Sequence, residues 1–297
     1  MITRRETLKL SLAASALAMA GRRAFAAGAP LDWQVFQAGQ AGFRRTPVLV
    51  SGATEAILLD GGFTLSDGRA LAQAIRDTGK TLTTIYVSCS DPDYYFGLGP
   101  VVEAFPEAKV IARTVTVEAI NGNVESKLAT WGPMLKDNGP QSLAEVVIPT
   151  PSDQPSLELE GQTIEIAEIS AMHDRRYLWV PSLEAVFGGV LVFSGVHVWV
   201  ADSAAPEQRA AWVAALDEII ARQPKIVVPG HKTEEAPGGV EAAIFTRDYL
   251  LAFDEELEKA ADSAALIAAM TTRYPDLADA SSLELGAKVA TGEMKWG

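Results

Sequence analysis

Ser88-Cys89-Ser90-Asp91-Pro92-Asp93-Tyr94-Tyr95-Phe96-Gly97 follows directly on Thr83–Val87, an apolar run that reads as a buried strand. A thiol, two carboxylates and two phenols therefore leave a strand end together. Loops anchored at strand ends by a packed scaffold are where binding and catalytic groups collect. Each residue also has a plain structural reading. Asp91 and Asp93 flank a proline, and such carboxylates often accept backbone N–H bonds in turns. Cys89 reads either as a small buried hydrophobe or as a reactive group.

Upstream, Trp33–Phe36, Pro47–Val50 and Ala56–Leu59 read as short strands, the last ending in Asp60-Gly61-Gly62. Asp60, placed after a buried strand, reads as a support for neighbouring loops. Ser66–Thr78 reads as a helix with Leu71, Ala72 and Ile75 on one face and Gly79 as its stop. Downstream come a short helix at Val101–Phe105, a strand at Lys109–Ala112 and a helix at Val115–Lys136 with a break expected at Trp131-Gly132-Pro133. Strands are expected at Val146–Ile148, Leu157–Leu159, Thr163–Ile169, Tyr177–Val180, Ala185–Val192 and Lys225–Val228. Helices are expected at Pro206–Arg222, Val240–Ala261 and Ser263–Thr272. Two strand blocks, each with its own helices, predict an α/β (α+β) protein built as a four-layer αββα sandwich in a single domain.

The chain has 297 residues, 48% of them hydrophobic and 21% charged, which is enough apolar material for one large core. A single cysteine excludes a disulfide scaffold. The net charge is −13. Residues 1–26 carry Arg4, Arg5, Lys9, Arg22 and Arg23 against Glu6, a net of +4, which leaves −17 for the rest. Such acidity argues against nucleic acid as a partner. The first 26 residues have the order of an export signal: a charged head with Arg4-Arg5, an apolar run Leu10–Ala20, and Ala24-Phe25-Ala26 as a cleavage pattern. The arginine pair is similar to a twin-arginine signal, with an ordinary secretory signal as the alternative, and on either reading residues 27–297 are expected to work in the periplasm. No segment reads as a membrane span.

Three more segments carry chemistry-bearing side chains. They are Ala171-Met172-His173-Asp174-Arg175-Arg176, Phe187-Gly188-Gly189 leading to His197, and Pro229-Gly230-His231-Lys232. With these in place, the sequence resembles the metallo-β-lactamase-fold hydrolase superfamily over about Trp33 to Leu285. It is similar to members with a His-x-His-x-Asp-His-x-x-Gly loop and a Gly-His-Lys near the end; Tyr249, Phe253 and Arg273-Tyr274-Pro275 fit the same pattern. The resemblance implies a sandwich that holds one or two zinc ions between its sheet edges. A metal-bound hydroxide then attacks an ester, lactam, lactone, thioester or phosphoester.

Carried over residue by residue, the motif histidines fall on Cys89, Asp91 and Tyr94, while its aspartate remains as Asp93 and its glycine as Gly97. The next histidine belongs near Ala171, with His173 two residues away. The bridging aspartate falls on Gly189, and the last histidine remains as His231. The metal set implied by the resemblance is thus Cys89, Asp91, Asp93, His173 and His231. Without a bridging carboxylate it has room for at most one zinc ion. Asp93, His231 and Tyr94 are the candidate catalytic residues. His197, Tyr95 and Arg175 are candidate contacts to a small-molecule substrate, the arginine because a guanidinium grips a carboxylate bidentately. Three functions stay open: a hydrolase with an altered, metal-poor site, a silent relative that binds a small molecule or protein partner through the old pocket, and a metal-independent enzyme using Cys89 or Tyr94.

Overall fold

A computed structural model describes residues 30–169, 172 and 174–296. The expected signal (residues 1–26) and His173 lie outside the described residues. The first sheet opens with three antiparallel strands, β1 (Asp32–Val35), β2 (Val48–Ser51) and β3 (Glu55–Leu59). It continues in parallel through β4 (Thr81–Tyr86), β5 (Lys109–Ala112) and β6 (Thr150–Pro151). Helices α1 (Leu65–Asp77), α2 (Gly99–Ala104) and α3 (Thr114–Leu135) make the crossovers. The second sheet is a meander of β7 (Ser156–Leu159), β8 (Gln162–Glu168), β9 (Arg176–Val180) and β10 (Ala185–Phe187). Past β11 (Phe193–Ser194), helix α4 (Pro206–Ala221) leads to β12 (Ile226–Val227), parallel to β10. β11 pairs with β13 (His231–Lys232), and the chain ends in α5 (Val240–Lys259), α6 (Ser263–Arg273) and α7 (Ala280–Ala290).

Strand alternation decides the layers. Val48, Val50, Ile57 and Leu59 face Leu157, Ile164, Leu178 and Phe187 across the gap between the two sheets. Their neighbours Leu49, Leu58 and Ile85 turn the other way and pack with Leu71 and Ile75 of α1. On the far side, Val186 and Val227 of the second sheet share a core with Trp212, Leu216 and Ile219 of α4 and Leu250 and Phe253 of α5. Each fully buried Val, Leu or Ile stabilises the fold by roughly 1.5–3 kcal/mol. The result is the αββα sandwich. Helix α1 starts where Thr64 Oγ1 accepts the Asp67 N–H (3.0 Å), and it buries Leu71, Ala72 and Ile75.

Three local expectations need correction. Val146–Ile148 is no strand; it follows a 3-10 turn at Leu143–Glu145, and pairing begins only after Pro149, which has no N–H for the ladder. The strand expected over Ala185–Val192 stops at Phe187, because Gly188 and Gly189 both have positive φ (70° and 76°) and turn the chain aside. Trp131-Gly132-Pro133 does not break α3, which runs through Pro133 to Leu135, so the missing proline N–H falls in its last turn.

Candidate functional site

The chemistry-bearing loops meet at one end of the sandwich, beyond the carboxyl ends of β3, β4, β10 and β12. In open α/β sheets that end is where ligands sit. Asp60 ties these strand ends together. It adopts φ +63° just after β3 and is 1% exposed. Its Oδ1 accepts the Ser88 N–H (2.7 Å), and its Oδ2 accepts the Ser88 hydroxyl (2.8 Å) and faces the Gly189 N–H (3.4 Å). Burial pushes the Asp60 pKa up, and the Arg45 guanidinium pulls it back.

Arg45 is the residue that sequence reasoning missed. Phe43 and Arg44 both adopt φ 53°, which swings the arm between β1 and β2 across the site. Arg45 then bridges His231 through the backbone, and Thr46 N–H donates to Gly230 O (3.2 Å). The guanidinium is 1% exposed. Its Nη2 lies 3.6 Å from Asp60 Oδ2, and its Nε lies 3.5 Å from Asp93 Oδ2. Nη1 donates to Gly230 O (2.5 Å), Nε donates to Asp93 O (3.3 Å), and Cζ stands 3.4 Å from the Tyr94 ring centroid. The only hint in the sequence was an arginine pair, Arg44-Arg45, just before a buried strand in an acidic chain.

Asp93 and His231 come together. His231 Nε2 lies 3.3 Å from Asp93 Oδ2, and His231 Nδ1 lies 2.7 Å from Phe43 O. A carbonyl only accepts, so Nδ1 carries the proton and the Nε2 lone pair faces Asp93. Burial lowers the His231 pKa to about 3, with Arg45 adding to the effect. Burial pushes Asp93 up while Arg45 pulls it down. Asp93 Oδ2 is buried and makes no hydrogen bond.

A second carboxylate cluster lies alongside. Arg175 Nη2 is 3.7 Å from Asp91 Oδ2 and 3.7 Å from Asp202 Oδ2. Asp202 also accepts the indole N–H groups of Trp199 (2.7 Å) and Trp296 (2.9 Å). Burial raises the Asp91 pKa and Arg175 opposes it. Cys89 Sγ points at Asp91 Oδ2 (3.8 Å), is fully buried, and has its pKa pushed well up by burial and by the Asp91 charge. Both effects disfavour the thiolate, the form in which a cysteine acts as a nucleophile.

The phenols are not where a substrate could meet them. Tyr94 is fully buried, donates its hydroxyl to Gly189 O (3.0 Å), and has its pKa held well above the ordinary tyrosine value by burial. Tyr95 is fully buried edge-on against Phe96. Neither is among the residues that line the cavity beside Asp93 and His231 or the cleft next to it, so the catalytic role expected for Tyr94 and the substrate contact expected for Tyr95 remain expectations from the sequence. His197 does line that cavity, with Nδ1 2.9 Å from the Tyr249 hydroxyl. Arg175 lines the neighbouring cleft, though its charge is already engaged by carboxylates.

The cavity beside Asp93 and His231 has a volume of about 60 Å³. Phe43, Phe193, Trp131, Trp199 and Trp296 supply its apolar walls. A wider cleft of about 530 Å³ adjoins it, sharing Asp91, Lys127 and Asp202. Trp131 and Trp199 stand 6.5 Å apart between ring centroids, and Trp199 and Trp296 stand 5.6 Å apart. Trp131 Nε1 is buried without an acceptor.

The residues present do not fit a zinc ion. Zinc needs three or four converging N, S or O donors. Among the described residues, no three His, Cys, Asp or Glu side chains converge in that way. Cys89 and Asp91 face each other, and Asp93 faces His231 and a guanidinium. At Gly189, where the bridging carboxylate belongs, a Cβ would overlap the Arg176 carbonyl oxygen. His173, the remaining expected ligand, lies outside the described residues.

A family model described as the metallo-beta-lactamase superfamily matches residues 42–231, which span all the site loops. Among solved structures, VMB-1 is 19% identical over 75% of this chain and 93% of that one, with a TM-score of 0.51. The DIM-1 metallo-beta-lactamase is 15% identical over 75% and 93%, also at 0.51. No curated protein sequence matches the chain. The fold supports a hydrolase-like function. With the match covering well over half its length, the chain belongs to the metallo-β-lactamase superfamily.

Proposed function

We propose that this protein binds a small, largely apolar molecule in the old catalytic pocket, by a site altered so that no metal-bound hydroxide forms there. The supporting observation is a pair of buried polar atoms that make no hydrogen bond. Asp93 Oδ2 and Trp131 Nε1 both belong to residues that line the aromatic-walled cavity, and neither has a hydrogen-bond partner. A buried group left unsatisfied costs about 1–3 kcal/mol, so a ligand that offers one donor and one acceptor gains from meeting both. The usual nucleophile candidates, Cys89 and Tyr94, are buried and engaged.

A second reading rests on the Asp93–His231 contact. Two acceptor atoms facing at 3.3 Å hold together only with a proton between them. Such a pair at the edge of a pocket is suited to move a proton to or from water or a leaving group, as hydrolysis of an ester, lactone, lactam or thioester requires.

The test is a panel of these compounds, with phosphoesters, added to the mature protein. Tryptophan emission reports binding, since three indoles line the pocket. Saturable quenching with turnover no faster than buffer supports the binding protein. Turnover that disappears in both Asp93→Asn and His231→Gln establishes the hydrolase instead. We also propose export to the periplasm after cleavage behind Ala26. Amino-terminal sequencing of the cell-envelope fraction tests this, and a chain beginning at Met1 in the cytoplasm would refute it. Among the described residues, no helix is long and apolar enough to cross a membrane.

A further inference from the structure

We propose that Arg45 is a resident cation standing in the position of the family's metal, so that this site carries its positive charge as a side chain and excludes zinc. The inference deepens the reading of an altered pocket, but its test reads zinc and not the ligand, so either can fail alone.

The argument begins with the carboxylates. Asp60 and Asp93 are both buried at the sheet ends, and two buried carboxylates need a cation or protons between them. Here the Arg45 guanidinium reaches both, at 3.6 and 3.5 Å. It does so from within the motif positions: above the ring of Tyr94, against Gly230 O, and beside His231.

The guanidinium is fixed more firmly than ion pairing requires. Backbone carbonyls at Asp93 and Gly230 take two of its N–H groups, and the Tyr94 face closes one side. Arginine is the side chain suited to this, being planar, always charged and weakly hydrated. The neighbouring cluster repeats the solution: Asp91 and Asp202 share Arg175, also buried, at 3.7 Å each. The exchange of motif histidines for Tyr94, which faces Arg45, and for Asp91, which faces Arg175, is consistent with it. Neutral donors that once faced a metal would face a guanidinium badly, whereas a carboxylate or an aromatic ring faces it well.

The experiment uses the mature protein and zinc chloride alone. Zinc is added in tenfold excess, the protein is desalted, and metal per chain is counted by elemental analysis. Thermal unfolding is recorded with zinc and with EDTA. We expect less than about 0.1 zinc per chain and a melting temperature that neither addition moves. One zinc per wild-type chain, removed by EDTA with a fall in melting temperature, overturns the proposal. Calorimetric zinc titration of Arg45→Met follows. With the guanidinium gone, Asp60 and Asp93 lose the cation they share, and we expect zinc affinity to rise at least tenfold. A folded Arg45→Met protein that binds zinc no better than wild type overturns the claim that Arg45 is what excludes it. Should that variant not fold, the same titration of Arg45→Gln, which keeps a hydrogen-bonding side chain but no charge, is judged by the same two outcomes.

Discussion

His231 Nε2 faces Asp93 Oδ2 at 3.3 Å while His231 Nδ1 donates to Phe43 O. The contact joins the loop after β4 to β13 and fixes the imidazole in one tautomer. The ring is also stacked on Phe193, with centroids 4.9 Å apart.

This burial makes His231 a source of pH dependence. Its folded pKa is lowered to about 3, chiefly by desolvation, below the ordinary value of 6.5. The contribution to stability is therefore complete above pH 6.5 and is lost as pH falls towards 3, because the unfolded chain takes up the proton first. At pH 4.5 the loss amounts to roughly 3 kcal/mol. Urea unfolding of wild type and His231→Gln at pH 7 and 4.5 measures it. The gap between the two proteins is expected to narrow at the lower pH, and an unchanged gap would show that the imidazole protonates freely in the fold.

Gly189→Asp restores the family's bridging carboxylate in name only. The position has φ +76°, and a Cβ there runs into the Arg176 carbonyl oxygen. The expected outcome is a loss of about 2–4 kcal/mol with no gain in zinc content. Urea titration and elemental analysis of the variant check both halves.

Asp60→Asn removes the charge that faces Arg45 and turns one acceptor oxygen into a donor among the N–H groups of Ser88 and Gly189. Breaking a buried pair on one side is expected to destabilise by about 3–5 kcal/mol. Denaturant midpoints provide the measurement. A loss under about 1 kcal/mol would mean that the strand ends hold without this carboxylate.

Cys89 is fully buried with its thiol pKa raised, so the native protein is expected to ignore a thiol-specific disulfide reagent. One thiol per chain should appear only on unfolding. Fast reaction in native buffer would revive Cys89 as a nucleophile.

Trp199→Ala opens the cavity wall and removes one of the two indole N–H groups that Asp202 accepts. Ligand affinity in the quenching assay is expected to fall at least tenfold. Equal affinity would place the ligand in the wider cleft beside Asp91 and Arg175.

The short strands at Pro47–Val50 and Ala56–Leu59, the helix face of Leu71, Ala72 and Ile75, and the turn formers after β4 were all legible from residue type and spacing, while the two faces of those strands were not. These are short-range properties, set by the periods of helix and strand. The same reasoning ran Ala185–Val192 on as one strand, since nothing in apolar content announces that Gly188 and Gly189 turn to positive φ. The loops holding Asp93 and His231 could be named from the sequence because their motif neighbours kept their order. Whether Tyr94 faces a cavity or a guanidinium is a matter of packing between segments dozens of residues apart.

From residue order came the sandwich and the acidic composition, and from the resemblance to the family came the exchange of histidine donors at positions 89, 91 and 94. Tertiary structure alone brought Arg45 from a different arm of the chain onto Asp60 and Asp93, and Arg175 onto Asp91 and Asp202. The reason is physical. Hydrophobic period is written locally, but the charge that balances a buried carboxylate comes from whichever side chain the fold carries to it.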